Sequence, residues 1–284
     1  MDQAVAQQKH QQFVAQLRAA HGCFSSPELS DAFESVPRHL FLPGLALEEV
    51  YSDKAIMTAM GNGKGRSSCS QPSFIALMAS MVGASTGKRI LEIGSGTGYT
   101  ATILSRLVGP AGRVVSVDID DDLVEMAQRN LAGFGFETQT TEDGNEWFRK
   151  PGFGNIAVRC QDGFQPVTVL DRYDGIVVTA SGTDIAGSWI TQLEEEGRLV
   201  APVRLLPGLQ ILVAFRKQQG RLLSRDIRAC SAVALRGELS DDNADWPQFQ
   251  IEVTGAESGG QAEETVFQRK HTRMVVTRQA AACK

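Results

Sequence analysis

The sequence predicts an α/β protein with a doubly wound, mostly parallel β-sheet, and three observations support this fold class. From residue 88 onward, short apolar segments such as "RILEI" and "RVVSVDI" alternate with amphipathic stretches, the order expected of strands joined by crossover helices. A glycine-rich stretch, "GSGTG", separates the first of these strands from the first helix. The chain has 284 residues, 42% of them hydrophobic, so it can bury a sizeable core.

The N-terminal third predicts a helical cover rather than part of the sheet. Residues 2–21 carry apolar side chains at helical spacing, which indicates a first helix. Ser26 and Pro27 are expected to be the N-cap and the first residue of a second helix. Residues 36–66 contain two prolines, four glycines and no steady period, so we expect an irregular segment there. A further helix is predicted at "IALMASMVG".

The remaining elements follow in a regular order. The predicted strands are "RILEI", "RVVSVDI", "NIAVRC", "YDGIVVTA" and "GRLVAPV", and the predicted helices are "YTATILSRLVG", "DDLVEMAQRNLAGFG" and "IAGSWITQL". The stretch "LQILVAFRKQQGRLLSRDI" is typical of a strand–turn–strand unit and predicts an antiparallel edge. Residues 136–153 are polar and residues 237–265 are acidic and rich in Gly and Ser. We expect a solvated loop and a flexible linker there, with "HTRMVVTR" as a last strand.

The order of elements divides the chain into three expected segments. They are an N-terminal helical cover (1–83), an α/β domain (84–235) and a partly flexible C-terminal extension (236–284). The boundaries follow the changes of pattern, because linkers and extensions differ in composition from packed domains.

Composition and charge narrow the class of protein. The formal net charge is −5, which argues against a nucleic-acid partner because such partners require a basic face. The five cysteines include no C-x-x-C pair, and the four histidines form no cluster, so we expect reduced thiols and no metal site. The N-terminus lacks an apolar signal region and no apolar run reaches membrane-spanning length, which predicts a soluble, cytoplasmic protein.

The glycine-rich loop is the strongest functional signal. Gly94, Gly96 and Gly98 lie between a predicted strand and a predicted helix, where a ligand can approach the backbone closely. A dinucleotide fingerprint would require glycine at the position of Tyr99. Glu92 would repel a pyrophosphate and suits a cationic ligand. S-adenosylmethionine carries a sulfonium and an ammonium group, so we expect it here, with Glu92 ordering the loop and hydrogen-bonding toward the ammonium group.

Acidic residues after the next two strands complete the expected cofactor site. Asp118 ends "VVSVD", where a carboxylate can accept hydrogen bonds from both ribose hydroxyls. Asp162 and Gly163 follow "NIAVRC", where a carboxylate can accept from the adenine amine, although a plain Asp-Gly turn is the alternative. We expect the acids at 120–122 to cap the following helix.

Seven segments of the chain, in order, resemble one known family. They are "SVPRHLFLP", "VYSD", "SQPSFIALM", "ILEIGSGTGYTATILSRLVG", "NIAVRCQDGF", "YDGIVVTAS" and "GRLVAPV", within residues 25–235. Together they resemble the protein-L-isoaspartate O-methyltransferases, which are class I S-adenosylmethionine enzymes. The resemblance implies a Rossmann-like class I methyltransferase fold and methyl transfer to a carboxylate on a peptide or protein. The seven segments therefore predict a carboxyl methyltransferase.

The same resemblance implies the substrate side of the site. Ser70 matches the serine that meets the substrate carboxylate in the family, Ser68 stands for the neighbouring threonine, and Gln71 matches directly. The stretch "VYSDKAI" matches the segment that walls the substrate cleft, which implies roles for Tyr51 and Asp53. Departures from the family pattern are Cys69 in place of isoleucine, one extra loop residue, the 136–153 insertion and the long C-terminal extension. These departures leave open a branch that esterifies peptide natural products.

The expected chemistry explains a serine-rich loop before a helix. A carboxylate with a pKa of about 4 is already ionised at neutral pH, so it needs orientation and desolvation rather than a base. Hydroxyl donors such as Ser70 and Ser68, with the N-terminus of the helix after Pro72, can orient it without quenching its nucleophilicity. The alternative is that Ser70 only caps that helix. A small-molecule O-methyltransferase and a non-catalytic cofactor-binding protein remain rival functions, whereas "VTASG" lacks the N-P-P-Y-like pattern of amino-methyltransferases.

Overall fold

The computed structural model describes residues 3–20, 22–61, 63–142, 144–206, 209–237, 263–268 and 273–278. Its N-terminal elements are α1 (Gln3–Ala19), α2 (Pro27–Ser35), a 3₁₀ helix (Arg38–Phe41), α3 (Leu47–Val50), β1 (Ile56–Gly61), β2 (Lys64–Cys69) and α4 (Pro72–Val82). The expected start of α2 is confirmed, since Ser26 Oγ accepts from the Leu29 amide at 3.3 Å and Pro27 is the first helical residue.

The segment expected to be irregular contains a β-hairpin. β1 and β2 pair antiparallel from Ile56 with Cys69 to Gly61 with Lys64, with two register irregularities. Residues 64–69 read "KGRSSC", which lacks the apolar alternation by which a strand is recognised. The hairpin therefore could not be predicted from periodicity. It matters because β2 carries Ser67 and Ser68 to the candidate site.

The remaining elements are the strands of one large sheet and the helices between them in the chain. They are β3 (Arg89–Ile93), α5 (Tyr99–Val108), β4 (Arg113–Asp118), α6 (Asp121–Gly133), β5 (Glu137–Thr140), β6 (Glu146–Arg149), β7 (Asn155–Cys160), β8 (Tyr173–Val178), α7 (Gly187–Gln192), β9 (Leu193–Leu206), β10 (Leu209–Gln218) and β11 (Arg221–Cys230). In the described part of the chain this sheet has nine strands in the order β11-β10-β9-β8-β3-β4-β7-β6-β5. The strands β9, β8, β3, β4 and β7 are parallel, and β10–β11 forms the expected antiparallel edge. The mostly parallel α/β fold is confirmed.

The expectation of a solvated loop at residues 136–153 is wrong. Strands β5 and β6 form an antiparallel hairpin that extends the sheet beyond β7. Trp147 and Phe148 are buried and pack in the cores on opposite faces of the sheet, and the Arg113 guanidinium lies 5.5 Å from the Trp147 ring centre. Every residue of β5 is exposed. The segment is polar because it is the edge of a sheet, where one whole strand faces water.

The C-terminal extension is described only in part. β12 (Glu263–Gln268) and β13 (Arg273–Arg278) pair antiparallel, which confirms the expected last strand. β12 begins within the stretch expected to be a linker, and most of that stretch lies outside the described residues. Among the described residues, no helix is long and apolar enough to span a membrane. The segment boundaries at residues 83 and 235 stay predictions.

Candidate functional site

The glycine-rich loop joins β3 to α5 at the carboxyl end of the sheet. Gly94 has φ +104° and Gly98 has φ +80°, conformations that favour glycine. A Cβ atom on Gly94 would lie 2.2 Å from Thr179 Oγ1, and one on Gly98 would lie 3.3 Å from Ala127. The Gly94 amide donates to the Val117 carbonyl at 2.8 Å. The loop is therefore held tightly against β4, with β8 and α6 packed around it.

Asp118 ends β4 beside this loop. Its side chain is 8% exposed. Asp118 Oδ2 accepts from the Gly96 amide at 3.1 Å, and Oδ1 accepts from the Asp120 amide at 3.4 Å. Burial raises the pKa of the Asp118 carboxyl, although these two amide bonds oppose the rise. Asp118 thus fixes the loop and also lines the pocket in front of it.

Glu92 lies beneath the loop rather than in the pocket wall. It is fully buried. Ser116 Oγ donates to Glu92 Oε2 at 2.5 Å and lies 2.7 Å from Ser95 Oγ. Glu92 Oε1 has no hydrogen-bond partner among the described residues. Burial raises the pKa of the Glu92 carboxyl to about 8, opposed by the Ser116 hydrogen bond and reinforced by the negative charge of Asp118.

The raised pKa of Glu92 predicts how the stability of the cofactor-free protein changes with pH. The folded state holds the Glu92 proton more tightly than the unfolded state. The stability that this tighter proton binding adds is complete below the ordinary pKa of 4.5 and is lost as pH rises to about 8. Replacing Glu92 with glutamine removes this titration. We expect the free energy of unfolding of the wild type to fall relative to Glu92→Gln between these pH values. Parallel curves from denaturant titrations of the two proteins would contradict this.

One pocket brings most of the predicted cofactor residues together. It lies at the carboxyl ends of β3, β4, β7 and β8, and its lining includes Gly94, Gly96, Asp118 and Gly163. Residues 66–68 of β2 form one wall, and residues 233–236, which follow β11, form another. Sequence patterns did not indicate the second wall, since its residues carry no motif and reach the pocket only through the fold.

Asp162 makes an Asx turn next to the pocket. Its Oδ1 accepts from the Phe164 amide at 3.0 Å, the local bond that an Asp-Gly turn provides. Gly163 lines the pocket, whereas Asp162 lies at its margin against Gly237. This arrangement is compatible with the turn and with adenine binding, so the role of Asp162 stays a prediction.

The serine-bearing loop faces the glycine-rich loop. A Cβ atom on Gly96 would lie 3.4 Å from Ser67 Oγ and 3.8 Å from the Ser68 carbonyl oxygen. Ser68 lines the pocket. Ser70 is half-buried at the end of β2, and its side chain makes no hydrogen bond to α4 in the described structure. The two loops are therefore adjacent.

Asp53 provides the cap at the N-terminus of α4. Asp53 Oδ1 accepts from the Ser73 amide at 2.9 Å, and Oδ2 accepts from Gln71 Nε2 at 3.0 Å. A carboxylate at this position satisfies a free amide of the first helical turn. Ser70 does not serve this purpose, so the capping alternative for Ser70 is not supported. Asp53 and Gln71 hold the serine loop in place, and their contact with a substrate stays a prediction.

Arg38 anchors this part of the molecule from below. Its side chain is completely buried. Among the described residues, its guanidinium donates to carbonyls of the cover segment and of the serine loop: Val50, Ser52, Lys54 and Ser70 at 3.0 Å and Cys69 at 3.3 Å. Arg38 therefore ties the cover segment to the serine loop. The sequence did not indicate these bonds, because three of the five acceptors lie in the 36–66 segment without a regular period and the other two lie in the serine loop.

Tyr51 points into the N-terminal cover. It is 8% exposed, and its hydroxyl lies 2.5 Å from His39 Nδ1. The rings of Phe13 and His10 pack against it. Its hydroxyl thus serves the packing of the cover in this structure, and a contact with substrate stays a prediction.

The expected capping of α6 by Asp120 is wrong. Asp120 stands at the N-cap position, yet its side chain makes no capping bond. Instead, its carboxylate pairs with Arg236 and Arg66. Two arginines from distant segments compete successfully with a local cap, because a guanidinium brings a full positive charge and two donors in a fork, whereas a cap offers only a neutral backbone amide.

Comparisons with known proteins agree on one family. The family model for protein-L-isoaspartate(D-aspartate) O-methyltransferase (PCMT) matches residues 8–240. A protein-L-isoaspartate O-methyltransferase of Thermotoga maritima is 36% identical over 223 residues, covering 77% of this chain and 65% of that protein, which is slightly less than two thirds. A protein of the same name from Methanococcus aeolicus is 31% identical over 217 residues, covering 76% of this chain and 89% of the relative.

Solved structures give the same result for the fold. A protein-L-isoaspartate O-methyltransferase structure with 30% identity has a TM-score of 0.69 and covers 82% of this chain and 67% of that chain. A second structure, from Plasmodium falciparum, is a putative protein-L-isoaspartate O-methyltransferase in complex with S-adenosyl-L-homocysteine. Its identity is 18%, its TM-score is 0.65, and the match covers 80% of this chain and 98% of that one. At that identity the likeness concerns the fold alone.

Proposed function

This chain belongs to the protein-L-isoaspartate O-methyltransferase family, and from that premise we propose that it methylates an isoaspartyl or aspartyl carboxylate of a peptide or protein with S-adenosylmethionine. One observation carries the proposal. The glycine-rich loop with Asp118 and the serine-bearing strand β2 face each other across a single pocket. A methyl donor on one side and an acceptor carboxylate on the other would meet there, as an in-line transfer requires.

The cofactor side of the pocket fits S-adenosylmethionine. When bound, this cofactor supplies a methyl group on a positively charged sulfur. Gly94 and Gly96 offer a side-chain-free surface for its methionyl and ribose parts, and Gly98 would complete the turn that presents them. The buried Asp118 carboxyl group beside the loop suits a cation. Asp118 would accept from the ribose hydroxyls, and Asp162 with Gly163 would border the adenine. Glu92 supports the loop from beneath through its bond with Ser116, so its effect on cofactor binding would be indirect.

The substrate side presents hydroxyl groups, and Arg66, which β2 also brings to the pocket, is paired with Asp120 and Asp122. Ser68 and Ser70 would orient the acceptor carboxylate. The Arg38 guanidinium is occupied by backbone carbonyls, so it does not compete for the substrate anion. The carboxylate is already ionised at neutral pH, and its oxygen therefore needs alignment and removal of water rather than deprotonation. Gln71, Asp53 and Tyr51 would shape the cleft through the loop that they support.

Removing the Ser70 hydroxyl tests the acceptor site. We expect Ser70→Ala to lower kcat/KM for the peptide about tenfold, the cost of one hydrogen bond to a charged group. The affinity for S-adenosylmethionine should stay unchanged. Steady-state kinetics with varied peptide, and calorimetry for the cofactor, measure the two effects. Ser80→Ala, farther along α4, is the matched control. Unchanged kcat/KM at low peptide concentration would contradict the role of Ser70.

A comparison of acceptors tests the proposed substrate. The purified protein is incubated with S-adenosylmethionine and either an isoaspartyl peptide or the same peptide with ordinary aspartate. We expect methyl ester formation on the isoaspartyl peptide. Turnover of the aspartyl peptide alone would favour the maturation of a peptide natural product, and turnover of neither would contradict the proposal. If calorimetry detected no binding of S-adenosylmethionine, the protein would not be this kind of enzyme.

The three segments expected from the sequence acquire roles under this proposal. Residues 1–83 would cover and shape the substrate cleft, residues 84–235 would bind the cofactor, and residues 236–284 would form the extension. The family match ends at residue 240, which supports the second boundary. The net charge of −5 supports a peptide rather than a nucleic acid as the partner.

A further inference from the structure

A short segment after β11 crosses the carboxyl edge of the sheet, and we call residues 231–237 the strap. The Ser181 amide donates to the Val233 carbonyl at 2.7 Å, and the Leu235 amide donates to the Ser181 carbonyl at 2.8 Å. Leu235 is 8% exposed and packs in the core between the sheet and α7. The middle of the strap is therefore attached to the chain that follows β8.

The strap forms one wall of the cofactor pocket. Residues 233–236 line the pocket together with Asp118 and Gly163. Gly237 has φ +108°, and a Cβ atom there would lie 2.5 Å from the Asp162 carboxylate. The end of the strap thus lies directly on the turn proposed to border the adenine.

Asp120 joins the strap to the opposite wall. Arg236 makes a two-point contact with the Asp120 carboxylate, in which Nη1 donates to Oδ1 at 2.8 Å and Nη2 bonds to Oδ2. Arg66 Nη1, from β2, lies 3.3 Å from the same Oδ2. The Asp120 side chain is 18% exposed, so these pairs are partly shielded from water. The Asp120 carboxylate therefore contacts both walls, while Arg66 also makes a two-point contact with Asp122 at the start of α6.

The arrangement has a direct consequence for ligand exchange. A ligand between the loop and the strap would be enclosed by β2 on one side and by the strap on the other. Neither Arg236 nor Arg66 is needed to fill the core, since 36% and 26% of their side chains are exposed. Bidentate arginine–carboxylate contacts are directional and strong compared with ordinary surface pairs. Their role in this place is to hold the two walls together.

We propose that Asp120 is a positioning residue that closes the strap and β2 over the cofactor and thereby sets how long the cofactor stays bound. The proposal rests on the cofactor site of the proposed function. Asp120, Arg236 and Arg66 act on the walls and do not contact the reacting atoms. Loss of the contact should open the pocket more often, which accelerates ligand dissociation and raises KM for S-adenosylmethionine.

Dissociation of S-adenosylhomocysteine from the full chain tests the proposal. S-adenosylhomocysteine lacks the sulfonium charge. The loss of a charged side chain in a variant therefore changes the direct electrostatic attraction between this ligand and the pocket only a little. We expect Asp120→Asn and Arg236→Gln each to raise the dissociation rate about tenfold, since a bidentate, partly buried pair is lost. The double variant should be no faster than Asp120→Asn, because Arg236 acts through the Asp120 carboxylate. Stopped-flow displacement measures these rates, and peptide kinetics should give a higher KM for S-adenosylmethionine.

Arg129→Gln serves as the matched control. Arg129 pairs with Glu125 on the exposed face of α6, and both side chains are about two-thirds exposed. This variant also loses one arginine–carboxylate pair, and it should dissociate S-adenosylhomocysteine at the wild-type rate. Thermal melts of all variants separate an opened pocket from a general loss of folding. The Arg236 side chain is 36% exposed, so Arg236→Gln is expected to fold. Its dissociation rate can therefore be measured even if Asp120→Asn folds poorly.

Salt provides a second measurement on the unmodified chain. Raising the ionic strength should accelerate dissociation of S-adenosylhomocysteine from the wild type and have less effect on Asp120→Asn. Dissociation rates for both Asp120→Asn and Arg236→Gln within about twofold of the wild type would overturn the inference, since a lost bidentate pair should cost more. A wild type that binds no S-adenosylhomocysteine would instead contradict the proposed function on which the inference rests.

Discussion

Replacing Asp118 with asparagine is expected to weaken the binding of S-adenosylmethionine about a hundredfold, because each lost hydrogen bond between a charged group and a hydroxyl contributes roughly 1.5–3 kcal/mol. Under the proposed function this carboxylate accepts from both ribose hydroxyls. It is 8% exposed and lines the pocket, so water cannot easily replace it. Isothermal calorimetry with S-adenosylmethionine measures the loss.

The asparagine variant separates ligand binding from loop structure. An asparagine side chain can still accept from the Gly96 amide, which Asp118 Oδ2 contacts at 3.1 Å. The loop should therefore keep its conformation, and thermal stability should change little. Asp171→Asn, at an exposed position before β8, is the control and should bind the cofactor normally. Wild-type affinity in Asp118→Asn would refute the ribose assignment.

Replacing Arg38 with methionine is expected to destabilise the fold by about 5 kcal/mol, at the upper end of single-residue effects. Methionine fills a similar volume but leaves the buried carbonyls of the cover segment and of the serine loop without their donor. The residue is 0% exposed, so water does not replace the lost bonds. Chemical denaturation followed by circular dichroism measures the change.

A lysine variant and a surface control refine this prediction. Arg38→Lys keeps the charge but offers three donors at one point, so we expect an intermediate loss of stability. Arg129→Met removes an arginine that is 67% exposed and should cost less than about 0.5 kcal/mol. If Arg38→Met unfolded at the same denaturant concentration as the wild type, the buried hydrogen bonds around Arg38 would contribute no net stability.

The order of helices and strands and the cofactor loop could be predicted from the sequence. β3, β4, β7 and β8 are short segments with a high share of apolar residues, and the helices that follow β3 and β4 have helical periodicity. Gly94 and Gly98 were identifiable because a tight strand-to-helix turn needs positive φ. Asp118 was identifiable from its position at the end of the second strand. Each of these inferences depends on residues that are neighbours in the chain.

The edge hairpins required the tertiary structure. β6 pairs with β7, β5 pairs with β6, and Trp147 and Phe148 of β6 are buried on opposite faces of the sheet. Their own sequence is too polar to indicate a strand. β2 likewise carries small and polar residues, and three of them line the pocket.

The parallel sheet, the glycine-rich loop and the serine-bearing loop follow from residues that are close together in the chain. The partners that the polar side chains take depend on how distant segments meet in the folded protein. Arg38 reaches Ser70 across 32 residues and Arg236 reaches Asp120 across 116 residues, whereas the local alternatives for Asp120 and Ser70, helix caps, are not formed. The physical reason is that backbone conformation follows from near neighbours, while a charged group binds the strongest partner that folding brings within reach.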